Sequence, residues 1–128
     1  MNKVVESAQD KNLPLASINA TYHAVDQSGN NYTLEITESN TKSGIVSGTL
    51  QIDEKQYVMT GEFRYKDKTN VQTNVYFTAS YPMDHDSRAG YFTLSAENRA
   101  YATLKGRRIC SDPHTQTLSI QDVVFNRQ

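Results

Sequence analysis

The sequence predicts an all-β fold, most simply an eight-stranded antiparallel up-and-down barrel. From Ile18 onward, threonine, tyrosine and valine dominate short runs in which apolar and polar residues alternate. Clusters of asparagine, glycine, aspartate and serine separate these runs about every ten residues, as expected for turns between consecutive strands. A chain of 128 residues has the usual size of one domain. These observations predict one barrel domain over residues 16–128, preceded by a polar, flexible arm over residues 1–15.

The first two predicted strands, about 17–25 and 32–37, form a hairpin. In the first strand, Ile18, Ala20, Tyr22 and Ala24 share one face. Ser28-Gly29-Asn30-Asn31 then supplies residues that tolerate the positive φ of a tight turn. In the second strand, apolar residues alternate strictly with polar ones, which indicates one buried face and one solvated face. The apolar members are Tyr32, Leu34 and Ile36.

The third and fourth predicted strands cover about 45–52 and 56–65. In the fourth, aromatic and apolar residues again share one face, at Tyr57, Met59, Phe63 and Tyr65. Gly61 lies among them, and a glycine inside a strand often marks a bend or a close backbone approach. Small barrels use such bends to curl and close.

The remaining four strands are predicted at about 71–81, 89–96, 99–107 and 115–125. Pro82 is expected to end the first of them, and Glu97-Asn98 to form a tight turn between the middle two. Short connections favour pairing between strands that follow each other in the chain, and eight strands suffice to close a small barrel. A two-sheet sandwich is the alternative fold, because spacing does not exclude Greek-key crossings.

Three strings, in this order, resemble the avidin and streptavidin family. The segment 20–28 is similar to the family's Gly-Thr-Trp-Tyr-Asn-Gln-Leu-Gly-Ser, 44–50 to Gly-x-Phe-Thr-Gly-Thr-Tyr, and 77–81 to Phe-Thr-Val-Asn-Trp. The resemblance, which extends over roughly residues 20–127, implies an eight-stranded barrel with a small-molecule pocket at its mouth and assembly into a homo-oligomer. It also implies that Phe92 belongs to the pocket, because 90–93 is similar to Thr-Val-Phe-Thr. The pocket positions that it implies are Tyr22, Ser28, Leu50, Tyr81 and Phe92.

Most of the family's polar binding positions are apolar here. Ala24 replaces the binding asparagine, Leu50 the tyrosine, Gly90 the threonine and Val123 the asparagine or aspartate, while Asp122 faces the other way. The chain also has no tryptophan. Each lost hydrogen-bond partner costs about 1–3 kcal/mol. We therefore predict no tight binding of biotin, and a more apolar pocket in which Ser28 is the remaining polar group.

Composition excludes several classes of function. Thirteen basic residues balance fourteen acidic ones without a basic stripe, which argues against a nucleic-acid partner. No apolar run approaches the roughly 20 residues of a membrane-spanning helix. The start of the chain has no signal-peptide pattern, so we expect a cytoplasmic protein, one exported by another route, or the mature form of a secreted one. With one cysteine, Cys110, no internal disulfide is possible.

Three clusters contain chemically active residues, and each also has a simpler interpretation. Asp84-His85-Asp86 contains metal-ligand residue types, but adjacent residues point in different directions, so a solvated loop is the simpler interpretation. Cys110 lies near Asp112 and His114, but Pro113 makes this segment a turn. Anion binding at the rim and a solvated face both fit the third cluster, formed by Lys105, Arg107 and Arg108.

The sequence predicts no catalytic residue, metal site or cofactor, because no triad, useful carboxylate pair or phosphate loop is present. We therefore predict a non-enzymatic protein that binds a small apolar or amphipathic ligand at the barrel mouth. The alternative is a protein-interaction or self-assembly module with a filled barrel. A cavity of about 300 Å³ or more favours the binding protein.

Overall fold

The computed structural model describes residues 17–83, 88–112 and 115–128. Its sheet is a closed barrel in which each strand pairs antiparallel with the next one and β1 pairs with β8. The prediction of an up-and-down barrel is therefore confirmed, and the sandwich alternative is wrong. The strands are β1 (Ala20–Val25), β2 (Asn31–Ser39), β3 (Ile45–Ile52), β4 (Lys55–Tyr65), β5 (Val75–Met83), β6 (Arg88–Ala96), β7 (Thr103–Asp112) and β8 (Thr117–Arg127).

The barrel interior is filled by side chains. Strand alternation directs one residue in two inward, and aromatic rings dominate the inner positions. Phe92 lies at the centre of this aromatic packing, with its ring centroid 5.4 Å from that of Phe125 and 5.6 Å from that of Tyr81. The largest fully buried side chains are Tyr22, Tyr32, Tyr81, Tyr101, Phe77, Phe92, Phe125, Leu34, Ile36, Leu50, Met59 and Leu104.

The two ends of the barrel differ in what closes them. At one end, here called the mouth, lie the β1–β2 turn at 26–30 and the β3–β4 turn at 53–54. At the other, here called the terminal end, lie both ends of the described chain, Ser17–Asn19 and Gln128. The terminal end also carries the longer connections 40–44, 66–74 and 97–102.

Two predicted connections are wrong in detail. β5 begins at Val75, because residues 71–74 belong to a turn in which the Thr73 hydroxyl accepts a hydrogen bond from the Asp67 N–H at 2.7 Å. β7 begins only at Thr103, so the β6–β7 connection is longer than the predicted two-residue turn. Tyr101 occupies this connection with a φ of 55°, and its buried ring holds the loop against the barrel.

Pro82 does not end β5, which continues to Met83. The pairing of β5 with β4 ends at Ser80, whereas its pairing with β6 continues through Pro82. Pro82 therefore lies where β5 has one free edge, a position in which strands tolerate proline. Gly61 matches its predicted role, because a Cβ at this position would collide with the carbonyl oxygen of Thr78 on β5.

The predicted arm, residues 1–15, and the Asp84-His85-Asp86 segment lie outside the described residues. Across the ranges that are described, no helix has the length and apolar character needed to cross a membrane.

Candidate ligand-binding site at the barrel mouth

Strand alternation on β7 points Arg108 into the barrel. Leu104, on the same face of the strand, is fully buried, whereas Arg107 faces outward and lies 3.5 Å from Asp122. Lys105 is exposed as well. The three basic residues of this segment therefore do not form one cluster, and only Arg108 brings its charge to the interior.

The Arg108 guanidinium is held by two tyrosine hydroxyls. Its Nε donates to the Tyr81 hydroxyl at 2.7 Å, and its Nη1 donates to the Tyr32 hydroxyl at 3.1 Å. Within the described part of the chain, no carboxylate bonds Arg108 directly, and Nη2 has no hydrogen-bond partner. Burial lowers the pKa of Arg108. The hydrogen bond to Tyr81 and the electrostatic effects of Tyr81, Cys110 and Tyr32 outweigh burial, so the pKa is raised overall. The group is therefore a permanent cation.

Asp26 carries a negative charge that is linked to Arg108 through the Tyr32 hydroxyl. This carboxylate is 6% exposed and accepts hydrogen bonds from the Tyr32 hydroxyl, from both Asn30 nitrogens and from the Ser28 N–H. Burial raises the pKa of Asp26, but these hydrogen bonds outweigh burial and lower the pKa below 3.8. Tyr32 therefore donates to an ionised carboxylate while it accepts from Arg108. The result is a buried polar chain from Asp26 through Tyr32 and Arg108 to Tyr81.

Both tyrosines of this chain stay protonated at neutral pH. Burial raises the pKa of Tyr32, and the hydrogen bond to Asp26 raises it further. Burial also raises the pKa of Tyr81, against the opposing effect of Arg108. Beyond Arg108, the Tyr81 hydroxyl lies 3.9 Å from the Cys110 sulfur, which offers only a weak hydrogen bond.

Gln121 adds a second polar group beside Arg108. The two residues lie opposite each other on β8 and β7. Gln121 Nε2 donates to the Ser28 hydroxyl at 3.2 Å, but its Oε1 is buried and has no hydrogen-bond partner among the described residues. A buried acceptor without a partner costs free energy, and a bound donor would remove that cost.

A depression of about 380 Å³ opens at the mouth beside Arg108. The β3–β4 turn forms its rim, and Tyr57 forms an aromatic wall. The Tyr57 ring lies 5.4 Å from Tyr81, which in turn stacks on Phe92. Gly90 makes this stacking possible, because a Cβ at its position would collide with the Tyr81 ring. The residues that line the depression are Ile52, Asp53, Glu54, Lys55, Tyr57 and Arg108.

The five predicted pocket residues do not all lie together. Tyr81 and Phe92 stack inside the barrel, and Leu50 is buried opposite Tyr57 on the neighbouring strand. Ser28 is exposed and reaches the site through Gln121. Tyr22 points to the terminal end, where its hydroxyl donates to the Ile18 carbonyl at 2.8 Å.

Of the residues at the mouth, Tyr57 was not predicted as a site residue, Arg108 was predicted only within a cluster with Lys105 and Arg107 that fits either anion binding at the rim or a solvated face, and Gln121 was missed. The signal for the latter two was available. Counting every second residue from Leu104 reaches Arg108, and counting back from Val123 reaches Gln121. A basic residue at an inward position of a barrel strand is unusual enough to mark a candidate site.

Among the described residues, the other chemical clusters give no additional site. The described residues contain no group of three or more histidine, cysteine or carboxylate side chains that could hold a metal ion. His23 is exposed on β1, where its Nδ1 lies 3.1 Å from the Thr33 hydroxyl. His114 and the Asp112 side chain, the predicted neighbours of Cys110, lie outside the described part.

No protein-family model and no curated protein matches this chain. The resemblance to the avidin family therefore stays a prediction, and the functional argument rests on the barrel and on the geometry of its mouth.

Proposed function

We propose that this protein is a non-enzymatic binding protein that holds a small amphipathic molecule at the barrel mouth. The observation that carries the proposal is the Arg108 guanidinium, which Tyr32 and Tyr81 fix beside a depression of about 380 Å³ and whose Nη2 edge has no hydrogen-bond partner among the described residues. An acidic group of the ligand would bond to this edge, and its apolar body would lie against Tyr57. The depression falls in the size range of small-molecule pockets, about 300–1,000 Å³.

The arrangement of Arg108 suits an acidic group for two reasons. A planar guanidinium bonds a carboxylate or sulfonate through two parallel N–H donors, and such charge-assisted bonds are about twice as strong as neutral ones. The guanidinium is also already ordered by two hydroxyls, so binding costs little side-chain entropy. Tyr32 lies between Asp26 and Arg108, so the Asp26 carboxylate does not bond the guanidinium directly.

The site differs from the avidin pocket, in which several neutral donors and acceptors bind the urea ring of biotin. Ala24 and Leu50 provide none of these, and the inward-facing polar groups that β7 and β8 bring to the mouth are a cation and an amide, Arg108 and Gln121. The rim also carries the charged residues Asp53, Glu54 and Lys55. We retain the prediction that biotin does not bind tightly.

The test compares one probe with its uncharged counterpart. 8-Anilinonaphthalene-1-sulfonate is an aromatic anion, and N-phenyl-1-naphthylamine has the same rings without the sulfonate. We expect Arg108→Met to weaken binding of the sulfonate about tenfold or more in a fluorescence titration, because a charge-assisted pair is lost. Binding of the neutral amine should change little. Arg107→Met is the matched control, since it removes an adjacent arginine that faces outward.

Equal weakening by Arg107→Met and Arg108→Met would contradict the proposal, because it would point to general attraction by surface charge. Native mass spectrometry of the purified protein, with biotin added to a parallel sample, gives an independent test. A retained small acid that is absent from the Arg108→Met variant would support the proposal.

The second candidate function is a protein-interaction or self-assembly module. The filled interior favours it, as does a depression of about 490 Å³ on the outer face of β4, β5 and β6. Small hydroxyl side chains line this outer depression, with Tyr91 at its edge. Homo-oligomer formation belongs to this candidate, and a monomer mass by light scattering at micromolar concentration would contradict it.

A further inference from the structure

The terminal end of the barrel contains another depression, of about 260 Å³, here called the terminal pocket. It lies where the start of the described chain at Ser17 meets the connections 40–44 and 97–102. The buried side chains of Ile18 and Phe63 supply its apolar lining. The terminal pocket shares no lining residue with the depression at the mouth, so it is a separate candidate site.

The polar side chains of the terminal pocket all carry hydrogen-bond donors. Hydroxyls come from Ser17, Ser39 and Thr41, a phenol from Tyr65 and a guanidinium from Arg99. Hydroxyls can donate or accept, whereas a guanidinium only donates. The described residues that line this pocket include no carboxylate. A lining of this composition is complementary to the acceptor oxygens of an anion.

Tyr101 determines how the Tyr65 hydroxyl can bond. The buried Tyr101 hydroxyl donates to the Tyr65 hydroxyl at 3.2 Å, so the Tyr65 oxygen acts as the acceptor. The proton of Tyr65 then has no acceptor among the described residues. Because Tyr65 is half-buried and lines the terminal pocket, this proton is available to an oxygen atom of a ligand.

Arg99 is held in place while most of its donors stay available. Its guanidinium carbon lies 4.2 Å from the centroid of the Tyr65 ring, which is a cation–π contact. Its main-chain N–H bonds to the Val71 carbonyl, and its Nη1 donates to the Lys68 carbonyl over 3.4 Å. A guanidinium has several further N–H donors. Arg99 therefore joins two connections and still has donors for a ligand, and its prior ordering lowers the entropy cost of binding.

The connections at the terminal end carry an excess of positive charge. The segments 40–44, 66–74 and 97–102 contain four basic residues and two acidic ones. The basic residues are Lys42, Lys66, Lys68 and Arg99, and the acidic ones are Asp67 and Glu97. Summed charge of one sign around a concave site raises the local concentration of ions of the opposite sign. The surroundings of the terminal pocket therefore also favour an anion.

We infer that the terminal pocket is a second ligand site, which binds a phosphate group, either as inorganic phosphate or as a monoester with a small apolar group. Its donors come from β2, from β4 and from the 97–102 connection, so they can reach oxygens that point in different directions, as those of a tetrahedral anion do. Guanidinium groups bond phosphate through paired N–H donors. Ile18 and Phe63 would contact the ester group. The inference goes beyond the proposed function and does not depend on Arg108.

Isothermal titration calorimetry with inorganic phosphate and with phenyl phosphate tests the site. We expect Arg99→Met to weaken phosphate binding about tenfold or more, because a charge-assisted pair is lost. Tyr65→Phe keeps the ring beneath Arg99 and should weaken binding about threefold or more. Lys68→Met is the matched control, since it removes a nearby positive charge but keeps the carbonyl that Arg99 bonds. It should change the affinity by about twofold at most at physiological salt.

Tighter binding of phenyl phosphate would identify a monoester as the ligand, and tighter binding of inorganic phosphate would identify the free ion. Either order supports the site. A wild type that binds neither probe would overturn the inference, as would equal weakening by Arg99→Met and Lys68→Met.

Chemical-shift mapping on isotope-labelled wild type locates the site without any substitution. Phenyl phosphate should shift the amide signals of Thr41, Tyr65 and Arg99 and leave that of Lys55 at the mouth unchanged. Shifts confined to the mouth would overturn the inference. Arg108→Met should not alter phosphate binding, and Arg99→Met should not alter the sulfonate titration. The two sites can therefore fail independently of each other.

Discussion

The two ends of the barrel both place arginine among tyrosines, but the arginines have different partners. At the terminal end, Arg127 Nη1 donates to the Ser17 carbonyl at 2.8 Å and to the Tyr22 hydroxyl at 3.3 Å. Arg99 lies 4.2 Å above the Tyr65 ring and donates to the Lys68 carbonyl. At the mouth, the described partners of Arg108 are tyrosine hydroxyls alone.

This difference separates a structural arginine from a candidate binding arginine. A bond from a guanidinium to a main-chain carbonyl joins two segments of the chain, so Arg127 fastens Ser17 to the end of β8. Arg108 joins two side chains that the barrel already holds, and it keeps one edge toward the depression. Burial raises the pKa of Tyr22 to about 12, against the lowering effect of the nearby Arg127.

Removal of the aromatic layer between the two ends should have the largest effect. Phe92→Ala is expected to destabilise the protein by about 3–5 kcal/mol, because it leaves a cavity among Tyr32, Tyr81 and Phe125. Urea denaturation measures this loss. Thr93→Ala, on the exposed face of the same strand, is the control and should stay within about 0.5 kcal/mol of wild type. A small effect of Phe92→Ala would mean that the interior repacks.

Replacing Arg127 and Arg108 by methionine, one at a time, should separate an arginine that stabilises the fold from an arginine that binds the ligand. Arg127→Met is expected to cost about 2–3 kcal/mol, because two hydrogen bonds from a charged donor are lost at once. Arg108→Met should cost less, about 1 kcal/mol, because Tyr32 keeps its hydrogen bond to Asp26 and only the Tyr81 hydroxyl loses its strong partner. Urea denaturation of the two variants, beside the sulfonate titration, checks the comparison. Loss of sulfonate binding in Arg127→Met alone would reverse the roles of the two ends.

Asp26 makes the mouth sensitive to acid. Because its pKa is lowered in the folded protein, its stabilising contribution is complete above the ordinary value of 3.8. The contribution is lost as the pH falls from 3.8 through the lower folded pKa. Asp26→Asn should therefore be less stable than wild type at neutral pH and show a smaller decline in acid. Urea denaturation at several values between about pH 2 and pH 6 measures both slopes. If the stability of wild type and of Asp26→Asn fell equally with pH, the acid sensitivity would come from other carboxylates.

Substitution of Ser28 should have the smallest effect on the stability of the protein. Ser28→Ala removes an exposed hydroxyl that accepts from Gln121, so we expect a change in stability below about 0.5 kcal/mol. Its effect on sulfonate binding sharpens the description of the mouth. A clear loss of affinity in the titration would show that Ser28 orients Gln121 toward the ligand, whereas unchanged affinity would limit the site to Arg108 and the aromatic wall.

The strand pattern and the inner face of the barrel were largely predictable. Tyr32, Leu34 and Ile36 are buried as their alternation indicates, and Tyr57, Met59, Phe63 and Tyr65 face inward together. These features depend only on the two-residue period of a strand. The start of β5 and the passage of β5 through Pro82 were not predictable in the same way, because pairing with neighbouring strands decides where a strand begins and ends.

By itself, the sequence determined the fold class, the number of strands and the set of side chains that fill the barrel, because local alternation is sufficient to separate an inner from an outer face. Tertiary structure alone decided which of these side chains meet. Arg108 reaches Tyr32 across 76 positions of the chain, and Gln121 reaches Ser28 across 93. Such contacts depend on how the strands stagger when the barrel closes, and no local pattern contains that stagger.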